Sequence, residues 1–268
     1  PSLVGSEMCI RDRRHIDLSF NRGTPNEVQL FEDFNLKVER GQFVSIVGSN
    51  GSGKTSLLNL LSGRFRPRKG AILIDGEDVT KQAEHLHYRS LSRVFQDPSA
   101  GTSPSLTLLQ NLALADHKGK RYGLRPGVSR ERTEFYRSQL AAFGLGLENR
   151  LNDKVSTLSG GQRQAVALLM ATMTPIKILL LDEHTAALDP KTAEVIMQLT
   201  HQIIREKKLT ALMVTHNLRY SLRYGDRILM MHGGKILLDA SGEAKEALQL
   251  DDLLSRFYAI SIEAGNSI

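Results

Sequence analysis

Apolar residues along this chain come mostly in short runs, and glycine, proline or charged residues separate one run from the next. Runs of about four to eight residues with such boundaries are typical of strands buried in a sheet. The pattern therefore predicts strands at residues 15–20, 34–38, 43–47, 71–74, 92–95, 178–181, 210–214, 227–231 and 235–238.

Stretches with apolar positions three and four residues apart predict helices between several of these strands. They lie at residues 55–61, 106–115, 130–143 and 164–173, and an amphipathic helix is predicted at 242–258. The alternation predicts an α/β fold, in which a mixed sheet has a parallel core and an antiparallel, β-rich N-terminal edge. Residues 97–157 interrupt this alternation and predict an inserted helical subdomain. A chain of 268 residues can bury a substantial core.

Residues 48–55 read GSNGSGKT and fit the phosphate-loop pattern G-x-x-x-x-G-K-[ST]. The motif lies between a predicted strand and a predicted helix, which is the setting it requires. Gly48, Gly51 and Gly53 allow backbone conformations that bring successive N–H groups around a β-phosphate. We expect Lys54 to reach the β- and γ-phosphate oxygens and the Thr55 hydroxyl to bind magnesium. The alternative is a glycine turn that only packs a helix on a strand, and the setting favours the nucleotide site.

Two carboxylates, Asp182 and Glu183, follow the apolar run 178–181. Parallel strands deliver such side chains to the carboxyl edge of a sheet, where ligands bind. We expect Asp182 to hold the magnesium shell and Glu183 to orient the attacking water in line with the γ-phosphorus. An Asp-Glu pair after a strand is common, so this interpretation depends on the phosphate loop upstream.

The sequence LSGGQ at residues 158–162 completes a set of motifs that resembles the ATP-binding subunit of ABC transporters, a P-loop ATPase family. The resemblance covers residues 14–258. In that family the motif contacts the γ-phosphate held by the other subunit of a dimer, and the matching residues here are Ser159, Gly160 and Gly161. A serine and two glycines at a helix start offer N–H donors and a positive dipole end to an anion. A flexible turn is the alternative, and the predicted helix that follows favours the signature.

The resemblance implies roles for four further residues. Gln96 matches the glutamine that senses magnesium and the attacking water, and Asp189 matches the aspartate that couples the two sites of the dimer. His216 matches the histidine that contacts the γ-phosphate. Phe20 lies where the family places an aromatic ring against adenine. A structural histidine and a core phenylalanine are the respective alternatives for the last two.

The expected cofactors are therefore ATP and Mg²⁺. The expected catalytic residues are Glu183, His216 and Gln96, and the expected metal ligands are Thr55, Gln96 and Asp182. The expected nucleotide-binding residues are Phe20, Gly48, Ser49, Asn50, Gly51, Ser52, Gly53, Lys54, Thr55, Ser56, Ser159, Gly160, Gly161, Gln162 and Asp189.

His184 departs from the commoner family pattern, which has proline or alanine after the catalytic glutamate. The string DEHTAALDP resembles a bacterial subgroup described as tryptophan/tyrosine or other amino-acid uptake cassettes, and residues 20–27, 95–115 and 215–227 agree with this. We interpret His184 as a packing residue rather than a catalytic one. His85 and His87 have no third metal ligand near them in the sequence, so both are expected at the surface.

The resemblance implies an ATPase that drives import, with amino acids as the substrate class, through a separate integral-membrane permease. The chain has no internal repeat, and its intact motifs favour a homodimer. An extracytoplasmic substrate-binding protein is a further expected partner. Two alternatives stay open: the ATPase of an exporter or lipoprotein-release system, and a soluble ABC ATPase acting on DNA or ribosomes. The second class usually carries a second cassette, a long coiled coil or zinc cysteines, and a neighbouring permease or lipoprotein gene would distinguish a transporter from it.

The net charge is +6, and much of the excess lies in one basic run between residues 118 and 137. A solvated face is the first interpretation of such a run, and attraction to anionic lipid headgroups is the second. The sequence contains no stretch of about 20 apolar residues that would span a membrane. We therefore expect a peripheral subunit at the cytoplasmic face of the inner membrane, with no nucleic-acid partner.

The first 13 residues have a separate explanation. LVGSEMCIRDR resembles a translated transposase adapter from sequencing libraries, so we expect a cloning or assembly scar and exclude it from the fold. An ordinary N-terminal segment is the alternative. Cys9 is the only cysteine, so no intramolecular disulfide can form, which fits a reducing compartment. Residues 259–268 are expected to form a frayed tail.

Overall fold

The computed structural model describes residues 15–120 and 128–263; the predicted scar with Cys9, part of the basic run and the last five residues lie outside this range. The strands are β1 (Ile16–Phe20), β2 (Val28–Phe34), β3 (Phe43–Gly48), β4 (Leu73–Ile74), β5 (Glu77–Asp78), β6 (Leu91–Val94), β7 (Ile178–Asp182), β8 (Thr210–Val214), β9 (Arg227–His232) and β10 (Lys235–Ser241). The helices are α1 (Lys54–Leu61), α2 (Glu84–His87), α3 (Leu108–Asp116), α4 (Arg130–Ala141), α5 (Gly160–Thr172), α6 (Pro190–Glu206), α7 (Leu218–Arg223), α8 (Glu243–Glu246) and α9 (Leu250–Glu263).

The described chain divides into two compact units, and the first contains residues 15–88 and 209–263. In this unit β3 pairs in parallel with both β8 and β9, and β10 pairs antiparallel to β9. All six residues of β3 are buried, which explains why its sequence is a continuous apolar run rather than an alternating one. β1 and β2 form a separate antiparallel pair. The predicted α/β fold with a mixed sheet is confirmed.

The second unit contains residues 89–120 and 128–208. β6 and β7 pair in parallel, with Val94 opposite Leu181. Helices α5 and α6 pack together, and α3 and α4 begin at side-chain caps that Thr107 and Ser129 provide. These caps satisfy N–H groups at the helix starts, which have no partners inside the helix.

A buried carboxylate joins α3 to α4. The Oδ2 of Asp116 accepts hydrogen bonds from the Tyr136 hydroxyl at 2.9 Å and from Arg132 Nε at 2.8 Å. Lys120 Nζ lies 3.1 Å from the other oxygen. Lys118 extends in another direction, and its Nζ donates to the Leu91 carbonyl and the Ser92 hydroxyl of β6. Three residues of the predicted basic run therefore contact polar groups of this unit, while the side chains of Lys120 and Arg132 stay 57% and 39% exposed.

Two predicted elements differ from the structure. The strand predicted at residues 34–38 is wrong, because β2 ends at Phe34 and Leu36 and Val38 are buried beyond it. Register shifts between β1 and β2 break the two-residue alternation that would have located β2. The helix predicted at 242–258 is two helices, α8 and α9, and α9 continues to Glu263. None of the helices within the described ranges is both long and apolar enough to cross a lipid bilayer.

Candidate functional site

The phosphate loop joins β3 directly to α1 and depends on glycines at two close approaches. A Cβ added at Gly48 would lie 2.1 Å from the Met231 carbonyl oxygen, so only glycine fits beside β9. Gly53 is the N-cap of α1 with φ +101°, and a Cβ there would lie 2.9 Å from the Phe31 ring. The loop can follow this tight path only because both positions lack a side chain.

Lys54 is buried, and its ammonium lies against the loop that contains it. Its Nζ donates to the carbonyls of Gly48 at 2.9 Å and Ser49 at 2.8 Å. The first turn of α1 adds the positive end of a helix dipole at the same place. Ser52 Oγ is buried with no hydrogen-bond partner among the described residues. A buried cation, a helix start and a curved backbone suit the phosphate chain of a nucleotide.

Further expected residues of the first unit lie at known positions relative to this loop. The Thr215 amide donates to the Ile46 carbonyl at 3.1 Å, so His216 and the phosphate loop follow the carboxyl ends of neighbouring parallel strands. His216 is exposed there. Ser49 Oγ lies 3.1 Å from His232 Nδ1, a contact that the sequence did not indicate. Phe20 lies at the end of β1, partly exposed, with its ring edge to face against Phe65 at 5.2 Å.

In the second unit the parallel pairing of β6 and β7 places Gln96 and the two carboxylates after neighbouring strand ends. The Oδ2 of Asp182 accepts a hydrogen bond from Arg93 Nη2 at 2.5 Å. The Arg93 side chain is 4% exposed and the Asp182 side chain 14% exposed, so this is a largely buried ion pair. Sequence reasoning missed Arg93, because a charged residue in a predicted buried strand has no visible partner until the register is known.

Glu183 begins a turn, and the next residue in it is a buried histidine. The Ala186 amide donates to the Glu183 carbonyl at 2.9 Å, and Glu183 has a left-handed backbone with φ +49°. His184 is 2% exposed, and its Nε2 lies 3.1 Å from Thr200 Oγ1 on α6. Burial lowers the pKa of His184 to about 4, so the ring is neutral at physiological pH. This burial agrees with the interpretation of His184 as a packing residue.

The signature sequence forms the start of α5. Ser159 is exposed and caps the helix, since its Oγ accepts from the Gln162 amide at 3.2 Å. The Gln162 side-chain oxygen in turn accepts hydrogen bonds from the Ser159 amide and from Arg150 Nη1, the latter at 3.0 Å. A Cβ at Gly161 would lie 2.1 Å from Thr192 Cγ2, so this glycine permits close packing of α5 on α6. The structure therefore uses the Gln162 side chain to hold the helix start.

A cleft of about 410 Å³ brings two expected residues of the second unit together. Gln96 and Gly160 line it, with the loop that leads to α6 on another side. Gln164, which the sequence did not single out, donates from Nε2 to the Phe95 carbonyl at 3.1 Å and so connects α5 to the Gln96 loop. Asp189 is the N-cap of α6, and hydrogen bonds from Thr192 lower its pKa, so it is ionised at neutral pH.

One histidine prediction is wrong. His87 is 1% exposed rather than at the surface, and its Nδ1 lies 3.0 Å from the Leu61 carbonyl oxygen. A Cβ at Gly63 would lie 2.6 Å from the His87 ring, which shows how closely the glycine turn after α1 packs on it. The described residues contain no group of three or more histidine, cysteine or acidic side chains placed to hold a metal ion by themselves.

Comparison with known proteins agrees with this geometry. The family model for ABC transporters matches residues 31–186. The chain belongs to the ABC transporter family. A tyrosine transport ATP-binding protein of Clostridioides difficile is 47% identical over 239 residues, which is 89% of this chain and 94% of that protein. A thiamine import ATP-binding protein of Photobacterium profundum is 34% identical, over 76% of this chain and 79% of that one.

Solved ABC cassettes share the fold. A bacterial ABC transporter cassette in its dimeric form matches with a TM-score of 0.72 and 29% identity, over 85% of this chain and 96% of that one. The same cassette in a post-hydrolysis state, bound to ADP and Pi, matches with a TM-score of 0.70. The chain is thus an ABC ATP-binding subunit with an ATPase domain, and the resemblance stated from its motifs is confirmed.

Proposed function

We propose that this chain is the ATPase subunit of a bacterial amino-acid importer, with tyrosine or a similar aromatic amino acid as the transported substrate. The single observation that carries the substrate class is 47% identity, over 89% of the chain, to a tyrosine transport ATP-binding protein. Other relatives are named for import of thiamine and of spermidine and putrescine, which supports import over export.

In this proposal two copies of the chain act together at the cytoplasmic face of the cell membrane, against a permease that a substrate-binding protein serves. The relative solved as a dimer supports the pairing. Each phosphate loop would hold one ATP through its backbone N–H groups and Lys54, and Phe20 would stack on the adenine. Ser159 and the N-terminal turn of α5 from the other copy would contact the γ-phosphate, since this capped helix start is exposed.

The residues present also fit magnesium, because Thr55, Gln96 and Asp182 offer the oxygen ligands that this ion prefers. Bound magnesium would neutralise charge that develops on the triphosphate. Glu183 would orient the attacking water and accept its proton, and His216 would contact the γ-phosphate. Asp189, fixed at the start of α6, would couple the two sites. Apart from that proton transfer, each role is positioning or electrostatic stabilisation, which is how phosphoryl transfer is generally catalysed.

Co-purification and reconstitution test this function. The tagged chain is purified from the membranes of its source, and its bound permease and binding protein are identified by mass spectrometry. ATP turnover of the complex in proteoliposomes is then measured with tyrosine, thiamine or spermidine and the binding protein. We expect tyrosine alone to stimulate turnover, and the matched Lys54→Ala complex to stay inactive with every ligand.

Two results would contradict the proposal in different ways. Stimulation by thiamine or spermidine would remove the amino-acid assignment and leave the importer. Co-purification with ribosomal or DNA-repair proteins in place of a permease would remove the transporter.

A further inference from the structure

Glu183 has a backbone conformation that its own residue type does not favour. Five described residues other than glycine have a positive φ. Three of them are aspartate or asparagine, which tolerate this region, and Lys208 directly follows the C-cap of α6, where a left-handed residue commonly ends a helix. Glu183 has neither explanation. Such a conformation persists only where the surrounding structure holds it.

On its N-terminal side Glu183 is held by a strand. Residues 178–181 of β7 are fully buried and in register with β6, and the ion pair with Arg93 fixes Asp182. The backbone that enters Glu183 is thus fixed by the sheet. The conformation needs a second fixed point on the other side.

His184 provides that second point. The Thr200 hydroxyl donates to the Ile196 carbonyl at 2.7 Å, so its oxygen is the acceptor and His184 Nε2 carries the hydrogen. Both side chains are almost completely buried, and Thr200 lies inside α6. Burial of an imidazole is unfavourable unless its N–H finds a partner. This one bond therefore fixes the depth and rotation of the ring next to Glu183.

We propose that His184 is a positioning residue for Glu183: its hydrogen bond to Thr200 anchors the turn after β7 to α6 and keeps Glu183 in its left-handed conformation. The inference rests on the proposed role of Glu183 in orienting water. It gives a function to the buried histidine that directly follows Glu183.

The chain contains a matched control for the test. Thr172 on α5 is also buried, and its hydroxyl also donates to the carbonyl four residues earlier, that of Leu168 at 2.9 Å. Its hydroxyl has no histidine partner among the described contacts. Thr200→Val and Thr172→Val therefore remove the same group from similar surroundings, and only the first removes the anchor of His184.

The experiment measures the kcat and KM of ATP hydrolysis, the melting temperature and the hydrogen exchange of the nucleotide-free protein. We expect Thr200→Val to lower kcat by about tenfold and to change KM by less than about twofold. The Ala186 amide, which donates to Glu183, should exchange faster in this variant. Thr172→Val should lose a similar amount of thermal stability with kcat and Ala186 exchange unchanged. His184→Gln, which keeps an N–H donor, should retain more turnover than His184→Leu.

Combining Thr200→Val with Glu183→Gln separates the positioning role of His184 from the proposed role of Glu183. If His184 acts through Glu183, Thr200→Val should cause no further loss of the residual turnover of the Glu183→Gln protein. Equal kcat and equal Ala186 exchange in the two valine variants would overturn the positioning role, while strongly reduced turnover by Glu183→Gln leaves the proposed function intact. Full turnover by Glu183→Gln would instead overturn the proposed role of Glu183.

Discussion

The phosphate loop and the turn after β7 each hold candidate functional side chains in place, and they do so by different means. In the loop, backbone lies directly against backbone, because Gly48 has no Cβ to meet the Met231 carbonyl. At the turn, the contacts are between side chains: Arg93 forms an ion pair with Asp182, and Thr200 lies within hydrogen-bond distance of His184, next to Glu183. The first arrangement depends on the absence of atoms and the second on buried polar contacts.

The two arrangements differ in how substitutions should affect them. A glycine beside a rigid carbonyl can accept no larger residue without backbone movement. Removing one side of a buried ion pair or hydrogen bond instead leaves a polar group without its partner. In a low-dielectric interior this lowers the free energy of unfolding substantially. Substitutions at Arg93, His184 and Gly48 test this difference.

Arg93→Met should have the largest effect. It leaves the Asp182 carboxylate buried without its cation, and breaking a buried pair in this way typically costs about 3–5 kcal/mol in the free energy of unfolding. Denaturant unfolding in EDTA measures this cost without magnesium. Arg227→Met is the control, because Arg227 lies at the same 2.5 Å from Asp239 but that carboxylate is 43% exposed. Arg227 also donates to the Lys37 carbonyl at 2.6 Å, so the control removes that hydrogen bond as well, and it should still lose clearly less stability than Arg93→Met. Equal losses would show that burial of the Arg93 pair is unimportant.

The same difference explains what the sequence revealed. The phosphate loop was predictable because its glycines and lysine are close in sequence, and Ser159 because a capping box is local. Arg93 and Lys118 were not, because their partners depend on strand register or on how a loop packs on β6. β2 was misplaced because irregular pairing with β1 removes its alternation.

His184 should make the stability of the fold depend on pH. Its pKa of about 4 in the folded chain lies below the ordinary value of 6.5. Between these values the unfolded chain binds a proton that the folded chain does not. Stability is therefore fully present above about pH 6.5 and is lost as the pH falls towards 4, by roughly 3 kcal/mol in total.

Unfolding curves from pH 7.5 to 4.5 measure this loss, with His184→Gln as the comparison because glutamine does not titrate. The variant should show a much shallower decline over this interval. Parallel curves for the two proteins would mean that the charged ring finds a partner in the folded chain. The assignment of a neutral imidazole to buried His184 would then be wrong.

Gly48→Ala should have the smallest of these effects on stability, about 2 kcal/mol, because one methyl group forces a local backbone shift. The substitution should also weaken nucleotide binding, since the shifted backbone carries the N–H groups of the phosphate loop and the carbonyl that accepts from Lys54.

Gly76→Ala is the control: φ is also positive, at +81°, but no atom lies within 4 Å of the added Cβ. It should lose about 1 kcal/mol from backbone strain alone. Titration of both variants with a fluorescent ATP analogue separates the effect of the close approach from that of backbone strain, because only Gly48→Ala should weaken binding. Equal binding by the two variants would mean that the backbone beside Met231 accommodates the methyl group without displacing the N–H groups of the phosphate loop, and the close approach at Gly48 would then not be what holds the loop in place.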